Sequence, residues 1–403
     1  MRDMPRRETA LDDFFREWTA AEETELAVLD KAVGRITARE YRSVNTLPVY
    51  RASMCDGVAV KSAAFASALP DTSKWIEDSD FIRADTGDDF DDSYDSVIRI
   101  EDVTLGDGKI ALNPELQFTA GMNVRSAGST LKPGELLIEA GLPIRPTDLA
   151  ALIMGGITLV EVYRKPKVAF IPTGSELIPA GLKPFRGKNV DTNSLMVKHQ
   201  LIEMGAEPIL FPIIEDVPAE LSDALDAALR FADIVVINGG SSKGGEDFNE
   251  KLLEKKGKLI QHRIAAAPGM PMALAVIDGK PAINLPGPTL AAFYGADWCL
   301  RPVVDRFLHR PLSKRETVSG VLTEDMSCPP HMDFLCRVEV TSGKDGYEIH
   351  PLPFKTVSMA KCLASNAMFI SPVGCGIHHK GDILKVELLR GREFIRDSAA
   401  CQI

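Results

Sequence analysis

The sequence predicts a multidomain α/β protein centred on a three-layer α/β/α domain with a mostly parallel sheet. Three observations lead there. Between residues 167 and 240, apolar strands alternate with amphipathic helices, the pattern of a sheet covered on both faces. From about residue 55 to 140, short β-prone pieces alternate with Gly, Asp and Pro, which predicts an inserted β-rich domain. After Pro302 the chain turns β-rich again, predicting a small C-terminal β-barrel domain. An extended N-terminal helical region completes the arrangement. The expected divisions are 1–45 with 140–165 (helical and linker), 46–139 (inserted β-rich), 166–310 (α/β) and 311–403 (C-terminal β). A chain of 403 residues exceeds what one core organises.

The elements follow in order. Leu11, Phe14, Phe15 and Trp18 recur at helical spacing, so the chain opens on an amphipathic helix. A second helical stretch is expected to end near Gly34, and residues 41–50 read as extended. The apolar run before Gly155 and Gly156 reads as a helix stopped by those glycines. KVAFIP (167–172), PILFPII (208–214) and DIVVIN (233–238) are buried-type strands. Val197, Leu201 and Met204 mark the helix after the first. Leu221, Leu225, Ala228, Leu229 and Ala232 share one face of the helix after the second, with Pro218 suited to its first turn. FLCRVEV, GYEIHPL, AMFISP and DILKVELL read as strands of the last domain.

Composition narrows the function. The formal charge of −11 argues against nucleic-acid or acidic-membrane binding. No apolar run approaches a membrane span, and the N-terminus lacks the pattern of a signal peptide. Seven scattered cysteines without a CxxC point to reduced thiols in a cytoplasm, not to disulfides or zinc. The acidic run between Asp85 and Asp95 reads as a solvated loop.

The polar motifs gather at strand ends, where open α/β sheets bind ligands. NGGSSKGGED (238–247) follows a strand and precedes a helix. Gly239, Gly240 and Gly244 let backbone approach a ligand, Ser242 adds a hydroxyl and Asp247 a carboxylate. A plain tight turn is the competing reading. PTGSEL offers Thr173, Gly174, Ser175 and Glu176 at a second strand end. VDTNSL, with Asp191 and Asn193, reads equally as a helix cap and as a ligand contact. Asp216 is an N-cap candidate as well. Glu176, Asp216 and Asp247 at one sheet edge would suit Mg²⁺, which takes oxygen ligands from one or two carboxylates together with substrate phosphates.

Taken together, these motifs resemble those of the molybdopterin molybdenumtransferases, the gephyrin E-domain family, over essentially the whole chain. Ser53-Met54-Cys55-Asp56-Gly57-Val58-Ala59 is similar to the family's S-A-M-D-G-x-A. Arg83–Gly87 resembles R-x-x-T-G, Gly121–Arg125 resembles G-x-N-[VI]-R, Thr173–Leu177 resembles T-G-[DS]-E-L, and Asp191-Thr192-Asn193 resembles D-[TS]-N. Gly239–Asp247 resembles the pterin signature G-G-x-S-x-G-x-x-D, and Leu285-Pro286-Gly287 matches L-P-G. The resemblance implies a fold of the molybdopterin-binding type and an enzyme of molybdenum cofactor biosynthesis. That enzyme hydrolyses adenylylated molybdopterin with Mg²⁺ and inserts molybdate at the dithiolene. It implies an elongated homodimer with the site between subunits. The pterin would lie on 238–247, with Pro286 and Gly287 in the binding surface and Glu176, Asp216 and Asp247 near phosphates and metal. Asp56 would reach in from the other subunit as a fourth catalytic residue. Molybdoenzymes or other cofactor-biosynthesis proteins are the expected partners.

The departures cluster where molybdate would sit. The family's K-P-G-K-P is here Ala267-Pro268-Gly269-Met270-Pro271, its P-G-N-P-V-S is Pro286-Gly287-Pro288-Thr289-Leu290-Ala291, and its G-R-x-x-F is Pro330-His331-Met332-Asp333-Phe334. A G-[ED]-D turn is Gly128-Ser129-Thr130. A doubly charged oxyanion in a partly buried site needs compensating charge or many donors. Either Lys243, Arg263 and His331 supply that charge, or the chain is a non-catalytic paralogue that keeps the pterin as a scaffold or carrier.

Overall fold

The computed structural model describes residues 4–239, 248–353 and 359–397. The chain divides into two compact units, residues 24–163 and residues 1–23 with 164–403.

The second unit is built on a six-stranded sheet in the order Glu207–Leu210, Lys167–Pro172, Ile234–Asn238, Lys280–Leu285, Ala273–Ile277, Lys258–His262. The first four strands run parallel; the last two join antiparallel. Ile234–Asn238 is buried throughout because it has a parallel neighbour on each side. Its Val235 and Ile237 pack with Ala169, Ile171, Leu221, Leu225 and Leu253 in one apolar cluster. The helices Asn193–Glu203 and Pro218–Leu229 form where the apolar spacing predicts. Val197, Leu201 and Met204 are fully buried, and Pro218 occupies the first turn of its helix. The PILFPII strand is shorter than expected, ending at Leu210. Pro208 and Pro212 lack the N–H a ladder needs, and pairing resumes only at the Thr173↔Ile214 bridge.

At the opposite, amino end of this sheet, Arg164 donates to both carboxylate oxygens of Asp233 (2.8 and 2.9 Å) and to Glu23. Asp233 also accepts the Lys167 N–H at 2.7 Å, so one carboxylate aligns the starts of two adjacent strands. Those two ion partners push the Arg164 guanidinium above its usual range, Asp233 contributing most.

The C-terminal region closes on itself. Asp333–Gly343, Gly346–Pro351, Thr317–Leu322, Ile383–Leu388 and Ala367–Ser371 follow one another, and the last pairs back with the first. Closure leaves this five-stranded barrel without a free edge. Inward residues such as Val318, Val338, Val340, Ile349 and Val386 fill it. The N-terminal helix Arg7–Glu17 buries Ala10 and Phe14, and the Arg6 and Arg7 side chains meet buried Asp333 at the start of the barrel.

In the other unit, Gly57–Val60 lies between Phe81–Ala84 and Ser96–Arg99, with a hairpin Val103–Gly106/Lys109–Leu112 beside its own apolar cluster. Helix Pro146–Met154 ends at Gly155, and Gly156 follows at φ +80°. The helical stretch expected before Gly34 is instead the strand Thr24–Val28 and a 3-10 turn at Leu29–Lys31. Pairing with Leu159–Tyr163, which is distant in sequence, overrides the local preference of Glu, Leu and Ala for helix. No helix among the described residues is long and apolar enough to cross a membrane.

Because Ile237 is fully buried between two strands and one residue before the strand's polar end, Ile237→Ala should destabilise the chain by about 2–5 kcal/mol and Ile237→Val by about 0.5–1.5 kcal/mol. Urea unfolding followed by tryptophan fluorescence would check both values.

Candidate functional site

The carboxyl edge of the parallel strands is where apolar side chains give way to buried asparagines. Asn238, Asn284, Asn249 and Asn193 are each at most 6% exposed. Asn193 Nδ2 donates to Asn238 Oδ1 (2.9 Å) and to the Gly287 carbonyl (2.7 Å). Asn238 Nδ2 donates to the Pro286 carbonyl at 2.8 Å. Asn249 Nδ2, one residue into the helix Phe248–Lys256, donates to the Gly239 carbonyl (2.8 Å) and to Asn284 Oδ1 (2.9 Å). Asn249 thus ties Gly239, on one side of the glycine-rich segment, to the helix on its other side. Backbone and side chains of three separate motifs meet in this network.

Glycine is required at this edge. Gly239 adopts φ +115°, and a Cβ there would stand 2.4 Å from the Thr173 carbonyl. The Thr173 N–H donates to the Asn238 carbonyl at 2.8 Å, fixing that close approach. Gly174 adopts φ +147°, and the Glu176 carboxylate folds over it, 2.7 Å from where a Cβ would be. Ser175 and Asp216 exchange two bonds: the Ser175 N–H donates to Asp216 Oδ2 and the Asp216 N–H to Ser175 Oγ, each 3.1 Å. Lys188 reaches the Ser175 carbonyl from the same side. Thr192 and Thr289 hydroxyls meet at 2.9 Å.

Thr173, Gly174, Ser175, Asn193, Gly239, Pro286 and Gly287 therefore come together along one edge, with Glu176 and Asp216 exposed beside them. Asp191 is buried and accepts the Ser194 N–H at 3.0 Å and the Ser194 hydroxyl, so its carboxylate caps the helix. Gly240, Ser242, Lys243, Gly244 and Asp247 lie outside the described residues. Asp56 belongs to the other unit, exposed; the Thr86 backbone N–H first and then the Thr86 hydroxyl hold its carboxyl below the usual range. Among the described residues, no three His, Cys, Asp or Glu side chains form a metal cage. The exposed carboxylates of Glu176 and Asp216 are hard oxygen donors, which fit Mg²⁺ as a partner to phosphates.

Sequence reasoning named Asn193 but missed Asn238, Asn249 and Asn284. Asn238 ends the otherwise apolar strand Ile234–Asn238, and Asn284 is the next-to-last residue of Lys280–Leu285, each opposite the other's neighbour on the ladder. For Asn238, a polar residue closing an apolar strand was the available signal.

Comparisons with known proteins identify the family. The family described as MoeA N-terminal region (domain I and II) matches residues 6–156, and the probable molybdopterin binding domain matches residues 169–306. A molybdopterin molybdenumtransferase of Haemophilus influenzae is 32% identical over 295 residues, covering 70% of this chain and 72% of that one. The chain belongs to the molybdopterin molybdenumtransferase family. Another member, from Bacillus subtilis, is 26% identical over 388 residues, covering 91% of this chain and 90% of its own. The crystal structure of a molybdopterin biosynthesis protein from Pyrococcus horikosii shares the fold, with a TM-score of 0.80 at 24% identity over 96% of this chain and all of its own.

Within the family fold, the departures have clear places. Ala266–Ala267 pairs parallel with Asp333–Phe334, so half-buried Ala267 ends this short strand and exposed Met270 lies in the loop that follows. Arg263 is exposed at φ +61°, and His331 is exposed at the turn into the barrel.

Asn193→Ala would leave Asn238 Oδ1 and the Gly287 carbonyl short of a donor. Each buried group left unpaired costs about 1–3 kcal/mol. We expect a lower urea midpoint and, at temperatures where the chain stays folded, weaker molybdopterin binding. Unchanged stability would show that water replaces the amide.

Proposed function

We propose that this chain is a molybdopterin molybdenumtransferase of molybdenum cofactor biosynthesis: it hydrolyses adenylylated molybdopterin and inserts molybdate at the dithiolene. The observation carrying this reading is the asparagine-tied edge that brings Gly239, Gly287 and the Thr173–Glu176 turn together. Gly287, where an added Cβ would meet nothing nearer than the Gly239 Cα at 3.8 Å, leaves backbone open to a ligand. Free N–H groups at a strand-to-helix turn favour phosphate. Glu176 and Asp216, with Asp247, would hold Mg²⁺, which when bound supplies positive charge against the phosphates. Ser175 orients Asp216 through their paired bonds.

The assay is turnover of adenylylated molybdopterin with Mg²⁺, with and without molybdate. AMP release that depends on molybdate is the expected result. Molybdopterin binding without AMP release would overturn it and favour the carrier reading, for which the Ala267 and Met270 positions speak. Those positions give a second measurement on the same reading. A charge-assisted hydrogen bond contributes about 1.5–3 kcal/mol. Ala267→Lys with Met270→Lys should then tighten molybdate binding by roughly one to three powers of ten after desolvation and side-chain ordering, as read by calorimetric titration. Tight binding by the natural chain, lost in Arg263→Ala or His331→Ala, would identify the residues that replaced the lysines.

We also infer a cytoplasmic homodimer in which Asp56 completes the site of the second subunit. Exposure of Asp56, with its charge held by Thr86, supports that role. Sedimentation equilibrium at micromolar concentration should give twice the 43.9 kDa chain mass. A single-chain mass would refute it.

A further inference from the structure

The C-terminal barrel holds a cluster with no part in the pterin reading. Cys328 follows a two-residue ladder, Met326–Ser327 against Ile377–His378, and its N–H donates to the Gly376 carbonyl at 2.8 Å. Cys336 sits in the long strand Asp333–Gly343. Both are buried, and their Sγ atoms are 3.5 Å apart. The Ser371 hydroxyl hydrogen-bonds Cys328 and meets His378 Nε2 at 2.8 Å. Other thiols differ: burial pushes Cys299 far above its ordinary range and half-buried Cys55 upward as well.

The pair is asymmetric. The hydrogen bond with Cys336 chiefly, and that with Ser371, draw the Cys328 thiol down to about 7 against the effect of burial. The same contact pushes Cys336 well above its usual range. That direction makes Cys328 the readier thiolate of the two, with the Ser371 hydroxyl beside it. A thiolate beside a protonated thiol is the pairing of a nucleophile with a resolving partner.

We propose that Cys328 and Cys336 form a hydroperoxide-reactive dithiol that closes to an intramolecular disulfide around the 329–335 segment. The Cys328 thiolate attacks one oxygen of the peroxide, the O–O bond breaks, and Cys328 becomes a sulfenic acid with hydroxide leaving. The Cys336 sulfur then attacks the Cys328 sulfur, the S–O bond breaks, and the displaced hydroxide takes the Cys336 proton. The first hydroxide takes up the proton that Cys328 released on ionising, so in sum two thiols and one hydrogen peroxide give one disulfide and two waters; sulfur is oxidised and oxygen reduced. Closing to a bond of about 2.05 Å needs roughly 1.5 Å of sulfur movement, within reach of side-chain rotation. Peroxide access would require local opening of the two-residue ladder beside the pair, where Ile377 is 56% exposed.

The segment so closed carries His331 and Asp333. Asp333 holds Arg6 at 3.0 Å, and its N–H donates to the Ala265 carbonyl at 2.8 Å, beside the Ala266–Ala267 pairing. Oxidation would stiffen the turn that borders the departed lysine loop. The proposal stands independently of the pterin reading.

The test treats the full chain with hydrogen peroxide, quenches with catalase, then denatures and alkylates. Alkylatable thiols should fall by two from the seven present, and peptide mapping should join Cys328 to Cys336. Cys336→Ser should leave a dimedone-reactive sulfenic acid at Cys328, and Cys328→Ser should leave Cys336 reduced. Seven alkylatable thiols after peroxide that fully oxidises free glutathione would overturn the proposal, as would a cross-link from Cys328 to Cys375. Mapping of the natural chain decides the matter even if a variant fails to fold.

Discussion

Buried amide groups hold this molecule's candidate site together. An apolar sheet end would tolerate many loop arrangements; one lined by Asn193, Asn238, Asn249 and Asn284 tolerates few, because each amide needs its particular partner. The network converts the ends of two strands and the starts of two helices into one unit. Even so it is incomplete: Asn249 Oδ1 is buried without a partner among the described residues. Such groups raise the price of any misplacement and favour a single arrangement of the glycine-bearing turns.

Charge sets a second constraint. With a formal charge of −11, the chain repels anionic substrates at long range. Its substrates under the proposed reading are a pterin phosphate and an oxyanion, so local donors must overcome that field. Lys188 at the Ser175 carbonyl is one cation at this edge. Alanine and methionine at 267 and 270 remove two others that relatives of the family pattern would present. Meanwhile Arg6 and Arg7 are spent on Asp333, anchoring the first helix to the barrel and not facing a ligand freely.

Much of the architecture was legible from apolar spacing. Ile234–Asn238 and the helices beginning at Asn193 and Pro218 lie where periodicity places them, because their burial is set by local pattern. Thr24–Val28 was illegible, since only its partner at Leu159–Tyr163 makes it a strand. At the site, glycine and hydroxyl residues announced a ligand edge, while Asn249 did not. Its role depends on Gly239, ten positions earlier, and Asn284, thirty-five later, and no spacing rule links those three. Motif resemblance reached further than periodicity, yet it could not say that Asp191 spends its carboxylate on Ser194.

The pairing of Thr24 with Tyr163 has an architectural meaning of its own. The whole 24–163 unit departs and returns through neighbouring residues, and just outside it the Arg164 N–H donates to the Glu23 carbonyl at 2.9 Å. The two cut points are thus already one ladder rung apart. Excising everything between them would demand only a short splice, with little chain-closure entropy to overcome. The remaining polypeptide would keep its first helix, its sheet and its barrel in their native connectivity. The unit is thus a cassette in the topological sense: its removal would not rethread the chain that carries the asparagine-lined edge.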